Sequence, residues 1–194
     1  MPLGKIKEEI RILAWDDGPF EKGRGTAPLV GVVFRGGSFM DGMLKLDVAV
    51  DGSDAEQKIV SAVNAAKFKD LRVMMMDGIT FAGFNTVNIR NIHKETGLPV
   101  IVVLRKKPNF DEFLDAIGRL PGAESRRECV KAAGEISWVD AGKGRLAFQC
   151  AGMFAEEAAE IIRISSLHAT MPEPLRVAHL IATAIVKGQS IGRA

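Results

Sequence analysis

The stretch Arg72–Leu104, RVMMMDGITFAGFNTVNIRNIHKETGLPVIVVL, places two short apolar runs on either side of a segment with helical spacing. RVMMMD and PVIVVL are too short for helices and apolar almost throughout, as strands buried on both faces are. Between them Val87, Ile89 and Ile92 share one side of FNTVNIRNIHKETG, and Gly97 is a natural helix stop. Strand, helix, strand implies parallel pairing through a right-handed crossover. That unit makes the chain α/β.

Before this unit the chain is β-rich. Ile10–Trp15, Pro28–Phe34 and Met43–Val50 read as strands, with GSFMDGM as the turn between the second and third. Ser53 or Asp54 then caps a helix through AEQKIVSAVNAAK, whose Ile59, Val60, Val63 and Ala66 form one apolar face. With RVMMMD laid parallel beside the first strand, the five strands form one mixed sheet of order 3-2-1-4-5 with helices on both faces. Downstream come two short helices, NFDEFLDAIGRL and ESRRECVKAAG. A hairpin near residues 135–151 follows, turning at AGKG, and then two amphipathic helices, AEEAAEIIRIS and PEPLRVAHLIATAIVKG. The expected organisation is a single domain over residues 1–194 with the hairpin as an addition.

A chain of 194 residues buries enough surface to need no staple. Its 47% hydrophobic and 26% charged content excludes disordered and collagenous classes, and a net charge of +2 announces no polyanion by itself. Cys129 and Cys150 lack metal-site spacing, and no apolar run is long enough for a membrane. These features predict a cytoplasmic protein with reduced thiols and no membrane partner.

Function points to the strand ends. ILAWDDG closes the first strand with Asp16 and Asp17, and VMMMDG closes the fourth with Asp77 before Gly78. In the expected sheet these strands are neighbours where the strand order reverses, which is where open α/β sheets place ligands. Carboxylates held together there repel one another unless a cation lies between them, and Mg²⁺ takes one or two carboxylates plus water and phosphate. The structural alternative is plain turn chemistry, since Asp-Gly is a common turn pair. Side chains alternate along a strand, so Asp16 and Asp17 cannot both enter one cleft. Asp16 is read as the ligand, and Asp17 as a cap on the Gly18-Pro19 turn or an outer support.

WDDGPF, VDGSDAEQKI, MDGITFAGFN and MPEPLRVAHLIA together resemble an archaeal family named endonuclease dU, distantly related to endonuclease V. The resemblance covers nearly the whole chain and implies a ribonuclease H-like fold. It maps the first metal aspartate onto Asp16, although the Asp-Gly of ribonuclease H fits Asp17, and the second onto Asp77. An intermediate acidic residue falls among Asp51, Asp54 and Glu56, with Asp54 preferred. His179 stands where the endonuclease V pattern has an acid in its last helix. Lys106, among Arg105, Lys106 and Lys107, stands for a lysine near the scissile phosphate. The His-Pro-Arg part of that pattern is missing.

Around this set, Arg176 lies one helical turn from His179 and is placed to pair with a carboxylate or phosphate. The loop GPFEKGRGTAP, with Lys22 and Arg24, follows directly on the carboxylates as a cover for DNA. GITFAGFN, with Gly78, Phe81 and Phe84, offers backbone and aromatic edges to an extruded base or ordinary helix-start packing. The resemblance implies a Mg²⁺- or Mn²⁺-dependent endonuclease acting on DNA with deaminated bases, near deoxyuridine; a homodimer is compatible with it. Two alternatives are a non-catalytic nucleic-acid binder on the same fold and a small-molecule, phosphate-handling α/β enzyme.

Overall fold

A computed structural model describes residues 3–23, 25–106, 109–142 and 144–191. The chain runs through β1 (Arg11–Asp17), β2 (Thr26–Arg35), β3 (Phe39–Ala49), α1 (Ala55–Ala65) and β4 (Val73–Asp77). Two very short strands, β5 (Thr80–Phe81) and β6 (Asn85–Thr86), pair just beyond it. Then come α2 (Ile89–Thr96), β7 (Val100–Leu104), α3 (Phe110–Gly118), α4 (Ala123–Ala133), β8 (Ser137–Ala141), β9 (Gly144–Ala151), α5 (Ala155–Ser165) and α6 (Glu173–Lys187).

Among the described residues the main sheet has seven strands in the order β3-β2-β1-β4-β7-β9-β8. The β1–β4 and β4–β7 pairs are parallel and the others antiparallel. The expected order of the first five strands is therefore present. The C-terminal hairpin extends the same sheet, because β9 pairs along the free edge of β7.

Alternation along the strands divides the core into two layers. Ile12, Ala14, Val30, Val32, Met75 and Ile101 face a layer that includes Ile161, Leu175, Ala178 and Ala182 of α5 and α6. Leu13, Trp15, Leu29, Val33, Met74, Met76 and Val102 face Ile59, Ile89 and Ile92 of α1 and α2. Full burial of one such aliphatic side chain contributes about 1.5–3 kcal/mol, so the two layers hold the sheet rigid beneath the strand ends.

Most strand and helix ends shift by one or two residues from expectation, and two starts shift by more. β3 begins at Phe39 rather than Met43, because the turn is made by Arg35–Ser38 with Gly36 at φ 53°. A register shift between Val33 and Phe34 absorbs the extra residue, Asp41. α2 begins only at Ile89, since the Asn88 side chain accepts the amides of Arg90 and Asn91 and fixes the helix start there.

Candidate active site

The carboxyl ends of β1, β4 and β7 meet beside α6. Ile12, Ala14 and Asp16 share the face covered by α6, and there Nδ1–H of His179 donates to Asp16 Oδ2 at 2.9 Å. The other Asp16 oxygen accepts the amide of Asp17 at 2.9 Å. Asp16 is 5% exposed, and burial raises its pKa against the pull of His179, with the charge of Asp77 pushing further upward. His179 moves upward in turn, because the Asp16 hydrogen bond favours the imidazolium.

Asp77 closes β4 on the same side. Burial raises its pKa too, opposed by Arg105, whose Nη2 donates to Asp77 Oδ2 at 3.1 Å. Gly78 permits the turn that follows, at φ 83°, and its amide donates to Val103 O at 3.1 Å. α6 approaches β1 closely because residue 18 is glycine. A Cβ there would lie 2.7 Å from Ala182 O and 2.8 Å from Pro28 Cγ.

Asp17 points to the opposite face, with Leu13 and Trp15. Its Oδ2 accepts the amide of Ala82 at 2.8 Å, and burial pushes its pKa up to about 6. It does not cap the Gly18-Pro19 turn, where the Gly18 amide donates to Pro28 O at 2.8 Å. Asp17 instead ties the end of β1 to the loop after β4.

Several expected residues stand elsewhere. Asp54 is kept out of the cluster: its carboxylate accepts the Ala49 amide at 3.0 Å and Asn85 Nδ2 at 2.7 Å, and pairs with Lys58 at 2.7 Å. It makes no side-chain cap to α1. Among the described residues of Arg105, Lys106 and Lys107 the one that reaches the site is Arg105; Lys106 stands exposed beyond it, and Lys107 lies outside the described residues. Arg176 is taken up by the buried Glu173, with Nη2 at 2.7 Å. Phe81 is fully buried and presents no edge to a base, while the half-buried Phe84 packs on Phe113 at 5.8 Å between centroids. Lys22 is exposed in the loop after β1, and Arg24 lies outside the described residues.

Two residues with a part here were hard to read from sequence. Asp51, weighed above only as an acidic ligand, accepts the Phe84 amide at 3.0 Å. Arg126 is 6% exposed on the inner face of α4. Its signal was its spacing with Cys129 and Ala133, which put a charge on the apolar stripe of that helix.

The donor chemistry suits a divalent ion. Asp16 and Asp77 are hard oxygen ligands, the first buried and the second half-buried, with the charge of Asp77 raising the pKa of Asp16, and Mg²⁺ needs only one or two such carboxylates from a protein. No group of three His, Cys, Asp or Glu side chains among the described residues forms a ready ligand set, so water and phosphate oxygens would complete the shell. Arg105 occupies Asp77 Oδ2, which leaves Oδ1 of that carboxylate for an ion.

The family model for endonuclease dU matches residues 8–186. The chain belongs to the endonuclease dU family. Its relatives include a UPF0215 protein of Methanosarcina barkeri, 43% identical over 97% of both chains, and one of Methanopyrus kandleri, 42% identical over 98% of both. The crystal structure of an Archaeoglobus fulgidus protein described as of unknown function matches this endonuclease dU chain with a TM-score of 0.84. It is 38% identical, over 92% of this chain and 99% of that one. Endonuclease V of Bacillus subtilis matches with a TM-score of 0.61 at 10% identity, over 97% and 84% of the two chains. Endonuclease V of Ciona intestinalis, solved with a 24mer DNA containing an inosine followed by a ribo-adenosine, matches with a TM-score of 0.58. Its identity is 13%, over 87% and 82% of the chains. The endonuclease dU chain therefore has the ribonuclease H-like fold of endonuclease V. Among the described residues no helix is long and apolar enough to cross a membrane.

Proposed function

We propose that this member of the endonuclease dU family is a metal-dependent endonuclease that hydrolyses phosphodiester bonds in DNA carrying deaminated bases, cutting near deoxyuridine. One observation carries the reading: Asp16 and Asp77 close adjacent parallel strands on the same side, at the reversal of strand order, with His179 bonded to one and Arg105 to the other. Family membership and the endonuclease V fold support it.

Asp16 and Asp77 would hold Mg²⁺ or Mn²⁺, which when bound supplies Lewis acidity toward water and offsets phosphate charge. His179 fixes the Asp16 carboxylate and holds a proton at Nδ1. Arg105, once released from Asp77, offers a forked donor to a phosphate. Asp17 holds the Ala82 amide and so sets the wall of the cleft. A base must leave the stack to be read at such a site, and a damaged pair opens at lower cost.

The test is incubation of the purified chain with a uracil-containing duplex. Cleavage with Mg²⁺, none with EDTA and none from Asp77→Ala is expected; equal activity in the variant overturns the assignment. A second reading, a non-catalytic nucleic-acid binder, is favoured by the partners that both carboxylates already have and by the separate partners, Lys58 and Asn85, that hold Asp54. Tight binding of DNA without cleavage under Mg²⁺ and Mn²⁺ alike would select it.

A further inference from the structure

The loop Gly78–Phe84 follows Asp77 directly at the end of β4, and its backbone is in an unfavourable shape. Ala82 sits at φ 46° and Asp51, which touches it, at φ 54°, both in the left-handed region that side chains disfavour. Such conformations persist only where surrounding contacts over-determine them. Here the contacts come from three separate elements.

From β1, Asp17 Oδ2 accepts the Ala82 amide at 2.8 Å. From the end of β3, the Asp51 amide donates to Ala82 O at 2.9 Å, and the Asp51 carboxylate accepts the Phe84 amide at 3.0 Å. From α4, Arg126 donates to Asp51 O at 2.7 Å, to Gly52 O at 3.0 Å and to Phe84 O. A further Arg126 bond reaches Pro121 O at 3.3 Å. Gly83, at φ 91°, leaves the room that the Asp51 carboxylate fills.

Arg126 is the unusual member. Buried guanidinium groups ordinarily pair with a carboxylate, yet among the described residues the hydrogen bonds of Arg126 all go to backbone carbonyls. Its planar fork meets several carbonyls at once, which a lysine ammonium does not reproduce. A cavity of about 580 Å³ lined by Ser53, Glu56, Thr86, Ser125 and Arg126 lies beside the guanidinium, while Phe81 and Ala82 of the loop are packed into the core.

We infer that Arg126, with Asp51, is a positioning residue that clamps the loop Gly78–Phe84 against the cleft from behind, some distance from the reacting groups. The inference rests on the nuclease reading for its effect on turnover, and on the geometry alone for its effect on the loop. Misplacing a cleft wall by about 1 Å can cost on the order of 10² in rate, so a backbone clamp is felt in turnover.

The experiment compares the full chain with Arg126→Lys and Asp51→Gly by hydrogen exchange, read at single amides by NMR. Asp51→Gly keeps the left-handed backbone open to the chain while removing the carboxylate. In both variants the Ala82 amide is expected to exchange at least about tenfold faster, with Met75 of β4 unchanged. On a uracil-containing duplex with Mg²⁺, kcat falls by about tenfold or more while KM stays within about twofold. Unchanged exchange at Ala82 overturns the clamp. Equal acceleration at Ala82 and Met75 overturns it too, since that reports general destabilisation. If Arg126→Lys does not fold, Asp51→Gly and Arg126→Met decide on the same amides. A wild-type chain that cuts nothing removes the nuclease reading, and the exchange data still judge the clamp.

Discussion

His179 Nδ1 and Asp16 Oδ2, 163 positions apart in the chain, lie 2.9 Å from each other. The imidazole therefore fixes the orientation of the carboxylate on which the cleft depends. His179→Ala is expected to lower cleavage about 10–100-fold and to raise the Mg²⁺ concentration needed for half-maximal rate. A metal titration of the cleavage rate checks this; an unchanged midpoint with full activity contradicts it.

On the proposed chemistry, Arg105 is expected to act oppositely on the ion and on the reaction. Its guanidinium neutralises Asp77, so Arg105→Ala leaves the carboxylate pair with more unbalanced charge and is expected to tighten Mn²⁺ binding several-fold. The same change removes a phosphate donor and lowers kcat. Calorimetric Mn²⁺ titration beside single-turnover cleavage separates the two effects.

Asp54→Asn is expected to cost about 1–2 kcal/mol of stability, because Ala49, Asn85 and Lys58 lose part of their acceptor. Its Mg²⁺ dependence should match wild type. Urea unfolding and the metal titration together distinguish this supporting role from a ligand role.

Gly18→Ala puts a methyl 2.7 Å from Ala182 O and 2.8 Å from Pro28 Cγ. The expected outcome is a loss of about 1–3 kcal/mol and a displaced α6, with cleavage falling as it does for His179→Ala. Thermal unfolding measures the first and turnover the second.

At the sheet edge, Arg35 and Arg11 hold the Asp41 carboxyl below its ordinary range. A depressed folded-state pKa gives stability that is present above the unfolded value of 3.8 and lost as pH falls through the folded one. Asp41→Asn should therefore be less stable than wild type at pH 7, and the gap should close on acidification below about pH 4. Parallel urea midpoints across that range test the sign.

The sheet was legible because its signals are local: apolar runs of strand length, a helix between two of them, and turn residues at the joins. The division of Asp16 from Asp17 followed from strand alternation alone. What sequence could not supply were contacts made by folding. Arg105 and Lys106 look equivalent in LRKKPN, and only the geometry at the end of β7 shows which reaches Asp77. Asp54 had a helix-start address that fits a ligand, yet Asn85 and Lys58 occupy it. Phe81 looks available beside Gly83, but its ring belongs to the core. Arg126 carried one visible sign, a charge on an apolar stripe, whose partners on α4's far side are backbone carbonyls that no side-chain pattern records.

The bond between α6 and β1 also sets the order in which the cleft becomes complete. Asp16, Asp17 and Asp77 are all made early, and the strands carrying them can pair before α6 exists. A chain emerging from the ribosome thus passes through a stage in which the three carboxylates are present and His179 is not. Contacts of such long sequence separation are among the slower to form. The Asp16 carboxylate is therefore oriented from both of its oxygens only when the last helix docks.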